Sequence, residues 1–119
     1  MVARRDFRRL LTQAQDDLII MGSMADKAIS RALFALRERD VDAARRTIRE
    51  DDIIDAKALE IEEKCAEIIA TQQPVAGDLR MLLAIFAIAS ELERIGDYAE
   101  GIAKIAHHDG SRATSEALG

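Results

Sequence analysis

The chain is poor in residues that interrupt helices, cross-link chains or stack on bases. Its 119 residues include one proline, one cysteine and no tryptophan, with an aromatic share of 3%. Proline removes a backbone donor and clashes with the preceding turn, so a chain with only one leaves long stretches free to stay helical. The lone Cys65 can form no internal disulfide, and its place on an apolar helical stripe marks it as a small buried hydrophobe. So few aromatics cannot build stacking platforms for bases, and a formal net charge of −5 opposes a phosphate backbone. No nucleic-acid partner is expected. Arg4, Arg5, Asp6, Arg8 and Arg9 enclose too little apolar sequence for a signal peptide. No apolar run approaches the roughly 20 residues a membrane span requires. The expectation is a cytoplasmic protein without stable membrane insertion.

Hydrophobic residues make up 49% of the chain and charged residues 33%, a mixture that favours long amphipathic helices in one domain. Phe7, Leu11, Ala14, Leu18, Met21, Ala25, Ala28, Ala32 and Ala35 step alternately by four and three residues, which predicts one helix over about 7–38 that Gly22 and Ser23 interrupt only weakly. Asp40 is placed to cap a second helix over about 41–72, with Ala44, Ile48, Ile54, Ala58, Ile61, Cys65 and Ile68 on its buried side. Pro74 ends that helix and starts a third over about 75–107, whose inner stripe reads Ala89, Leu92, Ile95, Ala99 and Ile102. Short connections between long helices make antiparallel hairpins. The expected fold is all-α, an antiparallel three-helix bundle over 7–107, with a basic segment over 1–6 and a disordered polar tail over 108–119.

One position breaks the pattern. Asp51 stands in the buried line of the second helix, between Ile48 and Ile54, where a core helix would carry an apolar residue. Asp55 follows one turn later, and Glu93 and Asp97 form a second pair at the same spacing on the third helix. Asp51 and Asp97 lie 23 residues either side of Pro74, and Asp55 and Glu93 lie 19 either side. In an antiparallel hairpin centred on Pro74 the four carboxylates therefore share a level. Four acids without four bases are costly unless a cation or water joins them. Oxygen ligands of this kind suit Mg²⁺, Mn²⁺ or iron rather than structural Zn²⁺. The competing reading is a solvated acidic face neutralised by Arg45, Arg46, Arg49 or Arg94, with Asp52, Glu91 and Glu100 as nearby acids that could substitute.

Three blocks of the sequence carry a resemblance: Asp51-Asp52-Ile53-Ile54-Asp55, the run from Gln72 through Pro74 to Arg80, and Leu92-Glu93-Arg94-Ile95-Gly96-Asp97-Tyr98-Ala99. In order and spacing they resemble the PhoU family of phosphate-uptake regulators, from about Phe7 to His107. The resemblance implies a three-helix repeat whose paired acid-three-residues-Asp motifs bind iron, often multinuclear, or another divalent metal in some members. Carried over by position, the metal ligands are Asp51, Asp55, Glu93 and Asp97. It also implies a regulator that damps phosphate-regulon activation through a sensor histidine kinase and the phosphate-specific ABC transporter. Family members normally hold two such repeats and this chain has one, so it is either a single-repeat relative, with a homodimer expected to replace the missing intramolecular partner, or one repeat of a longer protein.

No catalytic residues are expected, because the sequence offers no Glu-x-x-His, no phosphate-cradling glycine loop and no Ser or Cys paired with a base. A non-enzymatic regulator is thus the leading reading. Its alternatives are a metal-dependent phosphohydrolase that activates water at an open carboxylate-bound ion, and a purely structural helical dimer. His107 and His108 read as cations at the end of the third helix, Arg80 as an ion-pair former, and Met21, Met24 and Met81 as core or groove filling.

Overall fold

The computed structural model describes residues 4–118, and the side chains of 6–118. Three helices follow one another: α1 (Arg4–Glu38), α2 (Val41–Gln72) and α3 (Ala76–Leu118). Each packs against both others, in a rod of 70 × 17 × 16 Å. Among the described residues there is no strand.

The heptad seam of α1 faces inward, with Ala14, Met21, Ala32 and Ala35 fully buried and Leu11 and Leu18 packed at the margin. On α2 the buried line is Ala44, Thr47, Asp51, Ile54, Ala58, Ile61, Cys65 and Ile68. Thr47 takes the place expected for Ile48, which is only partly buried, and its hydroxyl donates to Ala43 O at 3.0 Å. On α3 the line is Leu82, Ile85, Ala89, Gly96, Ala99, Ala103, Ala106 and Gly110. Ile95, expected to point inward, is 37% exposed, and Gly96 lies buried beside it. The core is graded. Ile61, Cys65, Ile68, Leu82 and Ile85 fill one end, while Ala32, Ala35, Ala44, Ala103 and Ala106 let the helices approach closely at the other.

Both turns have local causes. Arg39 adopts a left-handed φ of 53°, and Asp40 caps α2 by accepting from Ala43 N–H at 3.0 Å. Gln73, at φ 47°, ends α2; Pro74 and Val75 carry the chain into α3, where Leu79 N–H donates to Val75 O at 2.8 Å. The helices are then held in register by polar contacts between them. Lys57 and Lys64 both grip Asp17, at 3.0 and 2.6 Å, and Arg31 reaches Glu50 at 2.7 Å.

The ends of the fold differ from expectation. Of the basic segment expected over 1–6, residues 1–3 lie outside the described ones and Arg4 already begins α1. The tail expected to be disordered over 108–119 continues α3 to Leu118. The cause is tertiary: Gly110, which reads as a breaker, is buried against the α1–α2 turn, so close that a Cβ there would stand 2.7 Å from Val41 Cγ2. Asp109 pairs with Arg39 at 3.4 Å, and Thr114 and Arg112 make contacts one turn away along the helix. His107 and His108 consequently sit inside α3, not at its end, and Arg45 Nε–H donates to His107 Nε2 at 3.2 Å.

Candidate metal centre

Near mid-length, α2 delivers Asp51 and Asp55 from successive turns and α3 delivers Asp97. One carboxylate oxygen from each lies within 4.8 Å of the others. The three differ in exposure, Asp51 being 4% exposed, Asp55 half-buried and Asp97 exposed, so the group opens to solvent along the α2–α3 groove. Asp51 Oδ1 is buried and has no hydrogen-bond partner. It lies over the bare backbone of Gly96, where a Cβ would come within 3.1 Å of it and of Ile54 Cγ2. Glycine thus lets a carboxyl group occupy the helix–helix contact.

Glu100 approaches Asp51 from α3 but lies outside the close group of three. Burial, then that contact, then the charges of Asp55, Glu100 and Asp97 push the Asp51 carboxyl up to about 7. Burial and the neighbouring Asp97, Glu100 and Asp52 raise Asp55. Glu93 is raised by burial and by Asp55, Glu62 and Asp97. These are the marks of like charges gathered without counter-charges.

The arginines that might neutralise the group are engaged elsewhere or unpaired with it. Arg45 meets His107, Arg46 pairs with Glu50 at 3.0 Å and Arg94 with Glu91 at 3.8 Å. Among the described residues no base forms an ion pair with Asp51, Asp55, Glu93 or Asp97; the nearest such pair in the groove is Lys104 with Glu100, at 3.1 Å. Arg80 is exposed and pairs with no described acid, Met81 is 44% exposed, and Cys65 is fully buried. An orphaned buried carboxylate oxygen and a donor set made only of carboxylates fit a hard divalent cation such as Mg²⁺, Mn²⁺ or Fe²⁺.

The four expected ligands are not brought together equally. Asp51, Asp55 and Asp97 converge; Glu93 and Glu100 both lie outside that close group, Glu93 beside Asp55 and Glu62, the latter contacted by Ser90 at 3.4 Å. Counting from Pro74 placed Asp51 level with Asp97 and Asp55 level with Glu93. The observed register is offset by about one helical turn. Asp51 meets Glu100 and Asp55 meets Asp97, in step with the Arg45–His107 and Glu62–Ser90 contacts further along. The turn itself is symmetric about Pro74, so the offset is set along the helices, where the bare Gly96 takes in Asp51 and Ile54. The signal for Glu100 in the sequence was its i, i+3 spacing from Asp97 on the same helix face.

Comparison with known proteins adds a second line of observation. The family model described as the PhoU domain matches residues 18–106. The chain is 43% identical over 94 residues to a phosphate-specific transport system accessory protein PhoU homolog of Aquifex aeolicus, covering 79% of this chain and 42% of that protein. It is 37% identical over 100 residues to the phosphate-specific transport system accessory protein PhoU of Escherichia coli, covering 84% and 42%. The crystal structure of PhoU from Pseudomonas aeruginosa superposes with a TM-score of 0.86 at 33% identity, over 89% of this chain and 51% of that one. The chain spans about half the length of these relatives.

Proposed function

The chain belongs to the PhoU family, and from that premise we propose that it is a regulatory accessory protein of phosphate uptake, acting through contacts between its helical faces and partner proteins. The observation that carries this reading is the identity shared with accessory proteins of phosphate-specific transport across most of this chain. The partners that follow are the phosphate-specific ABC transporter and a sensor histidine kinase, met on their cytoplasmic side. A second copy of the chain is the proposed partner for the apolar lines exposed on the rod. No described helix is long and apolar enough to cross a membrane.

In this reading Asp51, Asp55 and Asp97 hold a divalent cation, with Glu93 at the edge of the site. The ion supplies positive charge to a surface otherwise acidic, so that one face of the rod changes its partner preference with ion supply. The unpartnered Asp51 oxygen supports this.

Deleting the gene in its own host, with a phosphate-starvation reporter read at ample phosphate, tests the regulator. Derepression that returns to baseline when the gene is restored is the expected result; an unaltered reporter sinks it. Native mass spectra of protein purified without chelator, after EDTA and after adding back Fe²⁺, Mn²⁺ or Mg²⁺ test the cation. Bound ion that disappears in Asp97→Ala is expected, and a metal-free species throughout removes the metal from the reading.

A further inference from the structure

The groove between α1 and α2 has the opposite character to the acidic one. Ile20, Met24, Lys27 and Arg31 run along α1 at four- and three-residue steps, and Arg46, Glu50, Ile53 and Lys57 do the same along α2. Arg31 and Glu50 bridge the two helices at 2.7 Å, and Lys57 and Lys64 bridge them again through Asp17. Beside the first bridge lies an open hollow of about 240 Å³, lined by α1 and α2 alone. Its apolar side is made by Met24, Ala28, Ile53 and Ile54, and its polar side by Lys27, Arg31, Arg46 and Glu50. Ile53, at its margin, is 57% exposed. Along the groove Lys27, Arg31, Arg46, Lys57 and Lys64 outnumber Asp17, Glu50 and Glu60, on a chain whose formal net charge is −5.

We propose that this groove docks an acidic, amphipathic helical segment of a partner protein, which seats one apolar side chain in the hollow and sets a carboxylate between Lys27 and Arg46. This rests on the regulator reading above and gives it a surface. Three arguments carry it. Two antiparallel helices leave a groove on each side; α3 fills one, and the hollow shows that the other is open and apolar enough to anchor a further helix. The charge along it is complementary to an acidic segment and would repel a basic one. The cations at its edge are available. Lys27 is exposed and pairs with no described acid, and Arg46 is 60% exposed and meets Glu50 only along its own helix, a pair of little strength in water. Arg31, 18% exposed, stays on Glu50 when Arg46 leaves it. An incoming carboxylate thus gains a charged partner without stripping the bridge that holds α1 to α2.

The test is fluorescence anisotropy of the full chain with a panel of labelled synthetic peptides of about 15 residues, long enough to fold as a helix on binding. Each carries Leu, Phe or Met with Glu one turn away, and each has counterparts with Lys for Glu and with Ala for the apolar residue. Acidic apolar peptides are expected to bind, more weakly as NaCl rises from about 50 to about 500 mM, and both kinds of counterpart are expected to fail. Arg46→Glu and Ile53→Ser are each expected to weaken binding at least ~10-fold, the scale of an anchor in an interface, with melting temperatures near wild type because both side chains are exposed. Arg94→Glu, an equal charge reversal on α3, is expected to change binding less than about twofold. Basic peptides that bind as well as acidic ones, or groove variants that bind like wild type, overturn the proposal. So does a wild type that binds no peptide: uptake of inorganic phosphate would then assign the groove to a small anion, and a changed sedimentation coefficient in Arg46→Glu to a second copy. A failed peptide titration leaves the result of the gene-deletion reporter standing, so the docking site and the regulator reading fail separately.

Discussion

Asp51 is the residue on which the site turns, and its environment sets a pH dependence with a definite sign. Its carboxyl is pushed from 3.8 up to about 7 in the fold, so the fold favours the protonated form. The stability this contributes is complete below pH ~4 and is lost as pH rises through about 7. Asp55 and Glu93, also raised, act in the same direction. Asp17 and Glu50 act oppositely. Burial opposes ionisation of Asp17, but the bonds from Lys64 and Lys57 prevail; Arg46, then Arg31 against burial, hold Glu50 down. Their contribution is lost only as pH falls below the ordinary carboxylate range. In EDTA the chain should therefore melt higher at pH 5 than at pH 8. Asp51→Asn should flatten that difference and stabilise the protein at pH 8 by an amount on the order of 2 kcal/mol. A wild-type melting temperature that rises from pH 5 to pH 8 would contradict the account. Gly96→Ala separates site from stability. The helix gains about 1 kcal/mol in propensity, which the 3.1 Å approaches to Asp51 Oδ1 and Ile54 offset, so the melting temperature should move little. Mn²⁺ affinity should fall, because the Asp51 carboxyl has to turn away from the groove.

At the scale of the helix, the two turns and the end of α3 carry separate predictions. Gln73 is exposed and left-handed, so Gln73→Gly should stabilise the chain by about 0.5–1 kcal/mol, measured by urea unfolding. Gly110 is the reverse case. A methyl group there meets Val41 at 2.7 Å and the Arg39 carbonyl oxygen at 3.0 Å, and a backbone atom cannot step aside as a side-chain end can. Gly110→Ala should cost about 1–3 kcal/mol and raise amide exchange from Asp109 to Leu118, while leaving Asp51 and its neighbours protected. An equally stable Gly110→Ala would show that the last turns of α3 do not rest on the α1–α2 turn.

The whole molecule is a thin rod with apolar lines on its outside. Met81, Ile88 and Ile95 recur every seven residues on α3 and are 44%, 46% and 37% exposed; Ile19, Ile20, Leu33 and Phe34 are exposed on α1. In the dimer reading proposed above, a second copy of the chain occupies the α3 line. Sedimentation should show a dimer, and Ile88→Lys with Ile95→Lys should give a monomer of unchanged helicity; a monomeric wild type would remove this expectation.

Much of this was determined by the sequence alone because it is local. Periodicity sets the seam of α1, the Asp40 cap and Pro74 set the turns, and an acid in an apolar line marks Asp51, with Asp55 one turn away. Only the tertiary structure decided how α2 and α3 slide against each other, and so which acids meet Asp51. That offset depends on how the two helices interlock, with Gly96 against Asp51 and Ile54, which periodicity does not encode. It likewise decided that Ile95 faces outward beside Gly96 and that α3 runs to Leu118, since a glycine's close approach to a distant turn is a property of two helices together.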